Sequence, residues 1–432
     1  MNAGADIALN TMWVIIASAM VLFMEGGFSL LEAGFVRTKN AVNVTMKIFV
    51  DLTIGTLAYY LIGFGLMYGK DHGGLIGIAL WRAAQHVNLP MPLSMPAFVL
   101  FQVGFAIAGI SIISGAVAER MSFKAYILIA VFMTAILYPI SGHWVWNADG
   151  WLASLGMKDF AGSTVIHALG GWSALAFACV LGPRRGRFNS DGSVNVFAPS
   201  NIPLASAGGF ILWFGWFGFN AGSTLNVFSA NLSAIALNTA LAAAAGGAAA
   251  MLFSLYRFGK ADPSFTINGA LAGLVAITAG CAYVSSEAAI LIGMIAGLLV
   301  IWGTAAIDKL KIDDPVGAVA VHGVNGLFGT IAVGLFDLQE GFLTAGHIHL
   351  LVVQTLGGFV ISAWGFFLSY GFANMLKKTV GLRVAAAEEE EGLDMALHGI
   401  PAYNDLERFS DQPSVIEQAL SAPYIAVSEK QI

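Results

Sequence analysis

The sequence predicts an all-α integral membrane protein with eleven transmembrane helices, and three observations support that fold class. Of the 432 residues, 57% are apolar and only 11% are charged, whereas about a quarter of the residues of a soluble domain are charged. The apolar residues form eleven long runs, each close to the roughly 18 or more residues that mark a membrane span. A motif in the fifth run recurs in the tenth, which relates the first five runs to the next five.

The predicted spans cover residues 11–34, 42–69, 97–120, 124–145, 162–182, 200–220, 230–256, 265–284, 287–307, 317–336 and 348–376. Many contain glycine, as tightly packed membrane helices often do. From about residue 377 onward the composition changes abruptly and includes the acidic run Glu388–Glu391. We therefore expect a transmembrane domain at 1–376 and a soluble tail at 377–432. No basic residue occurs in Met1–Asn10, so no cleavable signal peptide is predicted.

The distribution of basic residues predicts the orientation. The odd-numbered loops hold Arg37, Lys39, Arg120, Lys124, Arg184, Arg185, Arg187, Arg257, Lys260, Lys309 and Lys311, and the even-numbered loops hold only Lys70, Arg82 and Lys158. Because short cytoplasmic loops are enriched in Lys and Arg, the odd loops and the tail are expected in the cytoplasm and the N-terminus outside. The net charge of -6 argues against nucleic acid as a partner.

One motif occurs in both halves of the chain. The fifth span begins Asp159-Phe-Ala-Gly-Ser-Thr-Val-Ile-His167 and the tenth begins Asp314-Pro-Val-Gly-Ala-Val-Ala-Val-His322. The copies are five spans apart, an odd number, so the second half enters the membrane from the opposite side, as in many transport proteins. We predict an inverted five-plus-five helix repeat, with repeat one at about 11–182, repeat two at about 200–336, and a last helix at 348–376.

The repeat predicts that one histidine from each half lies near the middle of the bilayer. Each histidine comes eight residues after an Asp that is suited to cap its helix. Eight residues span about 12 Å along a helix at 1.5 Å per residue, and half of the hydrocarbon core is about 15 Å thick. A lone membrane histidine more often just holds helices together. Two at matched depth favour a functional pair, because adjacent neutral imidazoles share a hydrogen bond and pass on a proton or a polar solute.

Other polar residues within the spans have plainer interpretations. Lys47 and Asp51 are one helical turn apart, so we expect them to pair with each other. Glu25 and Glu32 lie in the first span, where polar contacts that pack helices are expected, with a proton path as the alternative. Cys179 and Cys281 both lie in apolar segments and indicate neither a disulfide framework nor a metal site.

These motifs resemble those of the ammonium transporter family (Amt/Mep, with the Rh proteins as distant relatives). The resemblance runs from about residue 10 to Tyr403. It rests on the segments Phe101–Phe105 with Ala118–Arg120, His143–Trp146, Asp159–His167, Gly218–Ser223 and Asp313–Gly323. Met24–Asn43 and Gly182–Phe188 are closest to the branch that contains cyanobacterial and plant transporters.

The resemblance implies eleven helices, a homotrimer and one narrow pore in each subunit. It also implies site residues: Trp146, Phe105 and Ser223 at an outer site that recruits ammonium, Phe105 and Phe219 as a stacked phenyl gate, His167 and His322 in the pore, and Asp159 in support at the outer mouth. The residue types suit these roles. An indole face attracts a compact cation by about 0.5–2 kcal/mol, and phenyl rings exclude water and disfavour an unpaired charge. Without the resemblance, Trp146 would also suit an interfacial belt, the two phenylalanines ordinary packing, and Asp159 a helix cap alone.

The tail also resembles the family's regulatory segment, through Gly381–Val384, Gly392–Asp394 and His398–Tyr403. The resemblance implies contact with a neighbouring subunit and inhibition by a PII-type signal protein. Two departures weaken it, because Ile400 replaces a common glutamate or glycine and the chain continues past Tyr403 with residues 404–432. That extension is expected to be a loosely ordered peptide or an interaction tail.

Three functions compete at this point. The first is a multi-pass transporter in the cell (inner or plasma) membrane that recruits ammonium, or its analogue methylammonium, and conducts ammonia past the histidines with or without a separately moved proton. The second is an ammonium sensor or transceptor with little flux, although about 55 residues after the last span are too few for a fused catalytic domain. The third is a redox protein whose two histidines ligate haem, which the phenyl residues above the pair argue against. We expect no enzyme activity, no cofactor and no metal site.

Overall fold

The computed structural model describes residues 3–78, 87, 89 and 91–403. Arg82 of the second predicted loop and the predicted extension 404–432 lie outside these described residues. Within them almost all of the regular secondary structure is helical. The helices of 15 residues or more are α1 Ala3–Phe35, α2 Thr38–Tyr68, α3 Met95–Ala116, α4 123–146, α5 Ser163–Leu181, α6 Ile202–Gly222, α7 Leu232–Phe258, α8 Pro263–Ile277, α9 Ser286–Lys309, α10 Val319–Phe336 and α11 Ile348–Thr379.

Ten helices in the described part of the chain are long and apolar enough to cross a membrane. The shorter one is α8, whose 15 residues span about 22 Å at 1.5 Å per residue, against a hydrocarbon core of about 30 Å. It begins at Pro263, directly after Asp262, whose carboxylate accepts from the backbone N–H of Phe265 at 3.0 Å. It ends before the predicted boundary at residue 284. The multi-pass membrane class is confirmed, whereas the count of eleven crossings stays a prediction.

Four of the helices contain wide π turns, which the sequence did not reveal. These turns are Asp51–Gly55 and Tyr59–Gly63 in α2, Met133–Leu137 in α4, Ser163–Ala168 in α5 and Val319–Val324 in α10. Such turns are rare and concentrate at functional sites. The turns in α5 and α10 contain His167 and His322, so neither histidine lies on a regular α-helical turn.

Glycine brings α5 and α10 into backbone contact. A Cβ built on Gly171 of α5 would overlap the backbone N and Cα of Gly323 on α10. Small residues at a crossing allow membrane helices to approach this closely. The crossing lies only four residues after His167 and one after His322, so it holds together the helix segments that carry the histidines.

A short antiparallel strand pair, β1 Lys70–His72 and β2 Ile76–Ile78, follows α2 and was not predicted. Asp71 anchors its turn by accepting from the backbone N–H of Gly74 at 2.8 Å. The imidazole Nε2 of His143, near the end of α4, lies 2.9 Å from the same carboxylate oxygen. The hydrogen bond with His143 lowers the pKa of Asp71, and the contact ties the strand pair to α4.

At the end of the bundle opposite the strand pair, buried ion pairs hold together three segments that link helices. Arg184, after α5, binds Asp313, before α10, with Nε–Oδ2 and Nη2–Oδ1 distances of 2.7 Å and 2.9 Å. Its Nη1 lies 2.5 Å from Oε1 of Glu119, which follows α3. Burial alone would raise the pKa of Asp313, yet Arg120 and Arg184 hold it well below its usual range.

The described part of the tail packs on this same end. Two short segments, Ala386–Glu391 and Asp394–His398, lie beside the start of α2. Asp394 accepts from the backbone N–H of Asn43 at 2.8 Å, and burial raises the pKa of Asp394. Arg383 donates through Nη2 to both carboxylate oxygens of Glu389 at 3.0 Å and 2.7 Å, which fixes the turn between helix α11 and the first segment.

The predicted pairing of Lys47 with Asp51 is wrong, because both side chains turn to α3 and α4 instead. Lys47 donates to the backbone carbonyl of Ser114 at 2.6 Å. Asp51 accepts from the hydroxyl of Tyr126 at 2.7 Å and 2.9 Å and lies 3.0 Å from the hydroxyl of Ser111. These partners come from other helices, so spacing along one helix did not reveal them.

Candidate functional site

A cavity of ≈ 870 Å³ opens at one end of the bundle and contains the residues predicted for the outer site. Its walls come from the first turns of α3, the end of α4, the residues directly after α4 and α6, and the strand pair. Trp146, Phe105 and Ser223 all line it. The structure therefore brings together, from three helices, the side chains predicted to recruit ammonium.

Trp146 is the last residue of α4, and its indole N–H donates to the backbone carbonyl of Asp159 at 2.7 Å. Its ring centroid lies 5.8 Å from that of Phe105. Because this N–H already donates a hydrogen bond, only the π system of the indole can contact a solute in the cavity. A π face in a partly dry cavity attracts a cation.

Ser223 follows the last turn of α6 and also lines the cavity. Its hydroxyl donates to the carbonyl of Phe219 at 2.8 Å, so the hydrogen is used within the helix. The oxygen lone pairs remain able to accept a hydrogen bond. Trp146 and Ser223 thus provide a bound solute with one surface that attracts cations and one hydrogen-bond acceptor. Neither side chain carries a positive charge.

Two phenyl rings are paired at the inner end of the cavity, and one of them, Phe105, lines it. The ring centroids of Phe105 on α3 and Phe219 on α6 are 4.3 Å apart, with planes inclined by 33°. Both side chains are buried. An ion that passed between these rings would lose its hydration there without polar compensation.

The two histidines lie directly beyond the phenyl pair. The ring centroid of His167 is 5.6 Å from that of Phe219 and 5.2 Å from that of His322. The two Nδ1 atoms are 3.2 Å apart, so one ring donates and the other accepts when both are neutral. Nε2 of His167 is buried and has no hydrogen-bond partner among the described residues, which leaves it available to a polar solute.

The two Asp residues of the repeated motif make the same kind of cap. Asp159 accepts from the backbone N–H groups of Gly162, Thr164 and Val165 at 2.9–3.0 Å. Asp314 accepts from those of Gly317, Ala318 and Val319 at 2.7–3.1 Å. Burial raises the pKa of Asp159 and of Asp314, although the backbone donors oppose the rise. Each carboxylate fixes the start of the wide turn that carries a histidine.

The structure adds residues that the sequence did not single out. Gln102 lines the same cavity as Trp146, and its Oε1 is buried without a hydrogen-bond partner among the described residues. Trp216 stacks on His167 with ring centroids 5.1 Å apart, and its indole N–H donates to Thr278 at 2.8 Å. Both lie three residues before a predicted phenylalanine on the same helix, Phe105 or Phe219. Residues three apart lie on the same face of a helix, so this spacing could have identified both residues from the sequence.

Comparison with known proteins identifies the family. The model of the Ammonium Transporter Family matches residues 12–403. "Ammonium transporter Amt2" of Archaeoglobus fulgidus is 42% identical over 419 residues, which cover 92% of this chain and 89% of that protein. The protein sll1017 of Synechocystis is 43% identical over 400 residues, which cover 91% of this chain and 88% of that protein. Among solved structures, the "Sensor Amt Protein" superposes with a TM-score of 0.87 at 43% identity and covers 92% of this chain and 100% of its own. The chain therefore belongs to the Ammonium Transporter Family.

Proposed function

We propose that this protein is an ammonium transporter that recruits ammonium in the outer cavity and conducts ammonia past His167 and His322. The observation that carries the proposal is one continuous row of rings, from Trp146 through Phe105 and Phe219 to the two histidines, with successive centroids 4.3–5.8 Å apart. The row begins in a cavity suited to a cation and continues through a buried region suited to a neutral solute. The names of several relatives, including the Archaeoglobus protein, support the same substrate.

The proposed mechanism separates the cation from its proton. Ammonium lies against the indole of Trp146 and donates one hydrogen bond to Ser223. Phe105 and Phe219 disfavour the ion beyond that point, so ammonium gives up a proton and ammonia continues. Ammonia then donates to, or accepts from, the imidazole nitrogens of the histidine pair. A potassium ion has no proton to give up, and this requirement excludes it.

The proposal includes the architecture predicted from the sequence. The matched caps of Asp159 and Asp314, each leading into a wide turn with a histidine, support an inverted repeat of α1–α5 and α6–α10. An odd number of crossings, with α8 as a short eighth one, would put the N-terminus outside and the tail in the cytoplasm of the cell membrane. A homotrimer and a PII-type partner at the tail remain part of this proposal.

A sensor with little flux is the second candidate, because a solved relative of high similarity is titled "Sensor Amt Protein". The hypothesis that the histidines ligate haem has less support. The two imidazole planes are inclined by only 28°, and their Nδ1 atoms are 3.2 Å apart. An iron ligated axially by both would need the rings on opposite sides of a porphyrin. Direct uptake distinguishes the sensor, since robust flux would rule out a protein that only signals.

The test of the transport proposal is uptake of labelled methylammonium and of potassium by proteoliposomes. Trp146→Ala is expected to raise the half-saturating concentration about tenfold, the equivalent of about 1.4 kcal/mol of cation–π attraction. Phe105→Ala is expected to weaken the barrier to ions. The double variant His167→Ala/His322→Ala is expected to lose the preference for ammonium over potassium, because the polar path for ammonia is gone.

Two exposed residues provide matched controls for this experiment. Trp302→Ala removes an indole that is 53% exposed on α9, and His349→Ala removes an exposed imidazole on α11. Neither is expected to change uptake. A double histidine variant that still transported ammonium selectively over potassium would show that the histidine pair is not the selectivity device.

A further inference from the structure

A buried polar cluster lies beside the histidine pair, and the proposed path of ammonia does not use it. The cluster, here called the carboxyl cluster, consists of Glu25 and Glu32 on α1, Lys47 and Asp51 on α2, and Ser111 and Ser114 on α3. Each of these side chains belongs to a residue at most 2% exposed. Three carboxyl groups face one ammonium group, so the fully ionised cluster would carry excess negative charge within an apolar bundle, which is costly.

The contacts of Ser111 indicate a proton on one of two carboxyl groups. Its Oγ lies 2.7 Å from Oε2 of Glu25, 3.0 Å from Oδ2 of Asp51 and 3.0 Å from the carbonyl of Ile107. A hydroxyl has one hydrogen to donate. If Ser111 donates to one carboxylate, its contact with the other is a hydrogen bond only when that second group is protonated and donates in turn. Glu25 and Asp51 are therefore arranged to share one proton through Ser111.

Glu25 also has an open position for a proton or a hydrogen-bond donor. Its second oxygen, Oε1, is buried and has no hydrogen-bond partner among the described residues. Tyr126 already donates to Asp51, so the other carboxyl group of the pair is the less satisfied one. A buried carboxylate oxygen without a donor is unfavourable, and protonation of this carboxyl group relieves the cost.

A small cavity connects the cluster with the histidine pair. It has a volume of ≈ 20 Å³, and Ser111 and Glu32 line it together with His322. That volume holds about one water or ammonia molecule. Ser114 donates to Glu32 at 2.7 Å. The remaining charged groups that act on Glu32 and Lys47 from neighbouring segments are Asp314, Arg120 and Glu119.

We propose that the carboxyl cluster receives the proton that ammonium gives up and is the relay through which this proton crosses the protein. The inference rests on the proposed function. An N–H bond of ammonium breaks when its hydrogen reaches the unpartnered Nε2 of His167 between the displaced phenyl rings. The electron pair stays on ammonia and an N–H bond forms on the imidazole. The proton then passes along the imidazole pair and the small cavity to a carboxylate of Glu32 or of the Ser111-bridged pair. An O–H bond forms there. It breaks again when the proton leaves to ammonia or water on the other side of the histidines.

The test compares charge with solute in the same proteoliposomes. Currents elicited by ammonium are measured beside uptake of labelled methylammonium for the wild type, Glu32→Gln, and Glu25→Gln/Asp51→Asn. The Gln and Asn side chains have the shape of the carboxyl groups that they replace. They still accept a hydrogen bond from Ser111 or Ser114 but do not bind a proton. The ratio of current to uptake is expected to fall about a hundredfold, the low end of what removing a proton-transfer group costs. Glu25→Asp, which keeps a carboxyl group, is expected to retain much of the wild-type ratio of current to uptake.

A second readout does not depend on transport. The infrared spectrum of the wild type is expected to contain a carbonyl stretch from a protonated carboxyl group, which Glu25→Gln/Asp51→Asn removes. Glu25→Gln alone serves if the double variant does not fold. Asp337→Asn changes a buried carboxylate that is paired with Lys158 at 2.8 Å far from the cluster, and it should leave both the band and the current-to-uptake ratio in place.

Several results would overturn the inference. They are a wild-type spectrum without this band, an electrically silent wild type that takes up methylammonium, and an unchanged ratio in both folded variants. A wild type that takes up no methylammonium at all would instead refute the proposed transport function. In that case a band lost in Glu25→Gln/Asp51→Asn would still establish the shared proton.

Discussion

Asp313 shows how a single buried side chain holds together segments that are distant in sequence. Its carboxylate takes three hydrogen bonds from Arg184, two from the guanidinium and one from the backbone N–H at 2.9 Å. Its backbone carbonyl accepts from Arg120 at 2.7 Å. Asp313 immediately precedes Asp314, the cap of the wide turn with His322, so these ion pairs also determine where α10 begins.

Replacement of Asp313 by Asn is expected to lower the free energy of unfolding by about 3 kcal/mol, because it leaves a buried guanidinium without its main partner. The pKa of Asp313 in the native state lies below its usual range, and the unfolded value is about 3.9. The carboxylate therefore stabilises the fold fully above about pH 4 and loses this contribution as the pH falls further toward the native pKa.

The thermal midpoint of detergent-solubilised protein, measured between neutral and acid pH, checks this expectation. The gap between wild type and Asp313→Asn should be widest near neutral pH and should narrow in acid. Glu340→Gln is the control, since Glu340 is 53% exposed and meets Lys158 at 3.3 Å, and exposed pairs contribute little. Equal midpoints for Asp313→Asn and Glu340→Gln would contradict a stabilising role of the buried pair.

At the scale of helices, α5 and α10 combine features that the sequence predicted with others that it did not. The spacing from Asp159 to His167 and from Asp314 to His322 predicted both caps and a common depth for the histidines, because hydrogen-bonding needs and helix rise are local properties. The wide turns depend on how neighbouring helices pack, and the partners of Lys47 and Asp51 come from α3 and α4. No periodicity in one segment contains that information.

Substitution of Gly171 by Ala tests whether the close crossing of α5 and α10 is needed. The new Cβ would overlap the backbone of Gly323, so the helices have to separate and the distance of 3.2 Å between the histidine Nδ1 atoms has to grow. We expect a loss of about 1–3 kcal/mol of stability, as for other overpacked sites, and reduced uptake of methylammonium.

Thermal midpoints and proteoliposome uptake of the purified variants measure the two effects. Gly371→Ala on α11 is the matched control, because nothing lies within 4 Å of its added Cβ and alanine favours the helix. It should be neutral or slightly stabilising. If Gly171→Ala behaved like this control, the crossing would tolerate separation and would not be what keeps the histidines together.

At the scale of the whole molecule, the two ends of the bundle differ in chemistry. One end has the cavity lined by Trp146 and the strand pair. The other has the buried ion pairs of Arg184 and the packed tail. The sequence predicted this difference through the basic residues of the odd loops, because charge bias between loops is a property of composition. It did not predict the strand pair or the short α8, since both depend on how the chain packs at the bundle ends.

Cysteine labelling tests which end faces the cytoplasm. In a background with Cys179 and Cys281 replaced by alanine, Ser190→Cys lies in an exposed stretch after α5, and Gln339→Cys lies in an exposed stretch after α10. Arg184, Arg185 and Arg187 precede the first position in the same loop, whereas no Lys or Arg occurs between α10 and α11. Basic loops stay in the cytoplasm. A membrane-impermeant maleimide applied to intact cells should therefore label Gln339→Cys alone, and permeabilised cells should show both. Labelling of Ser190→Cys alone would invert the orientation, and labelling of both in intact cells would mean that the number of crossings between them is even.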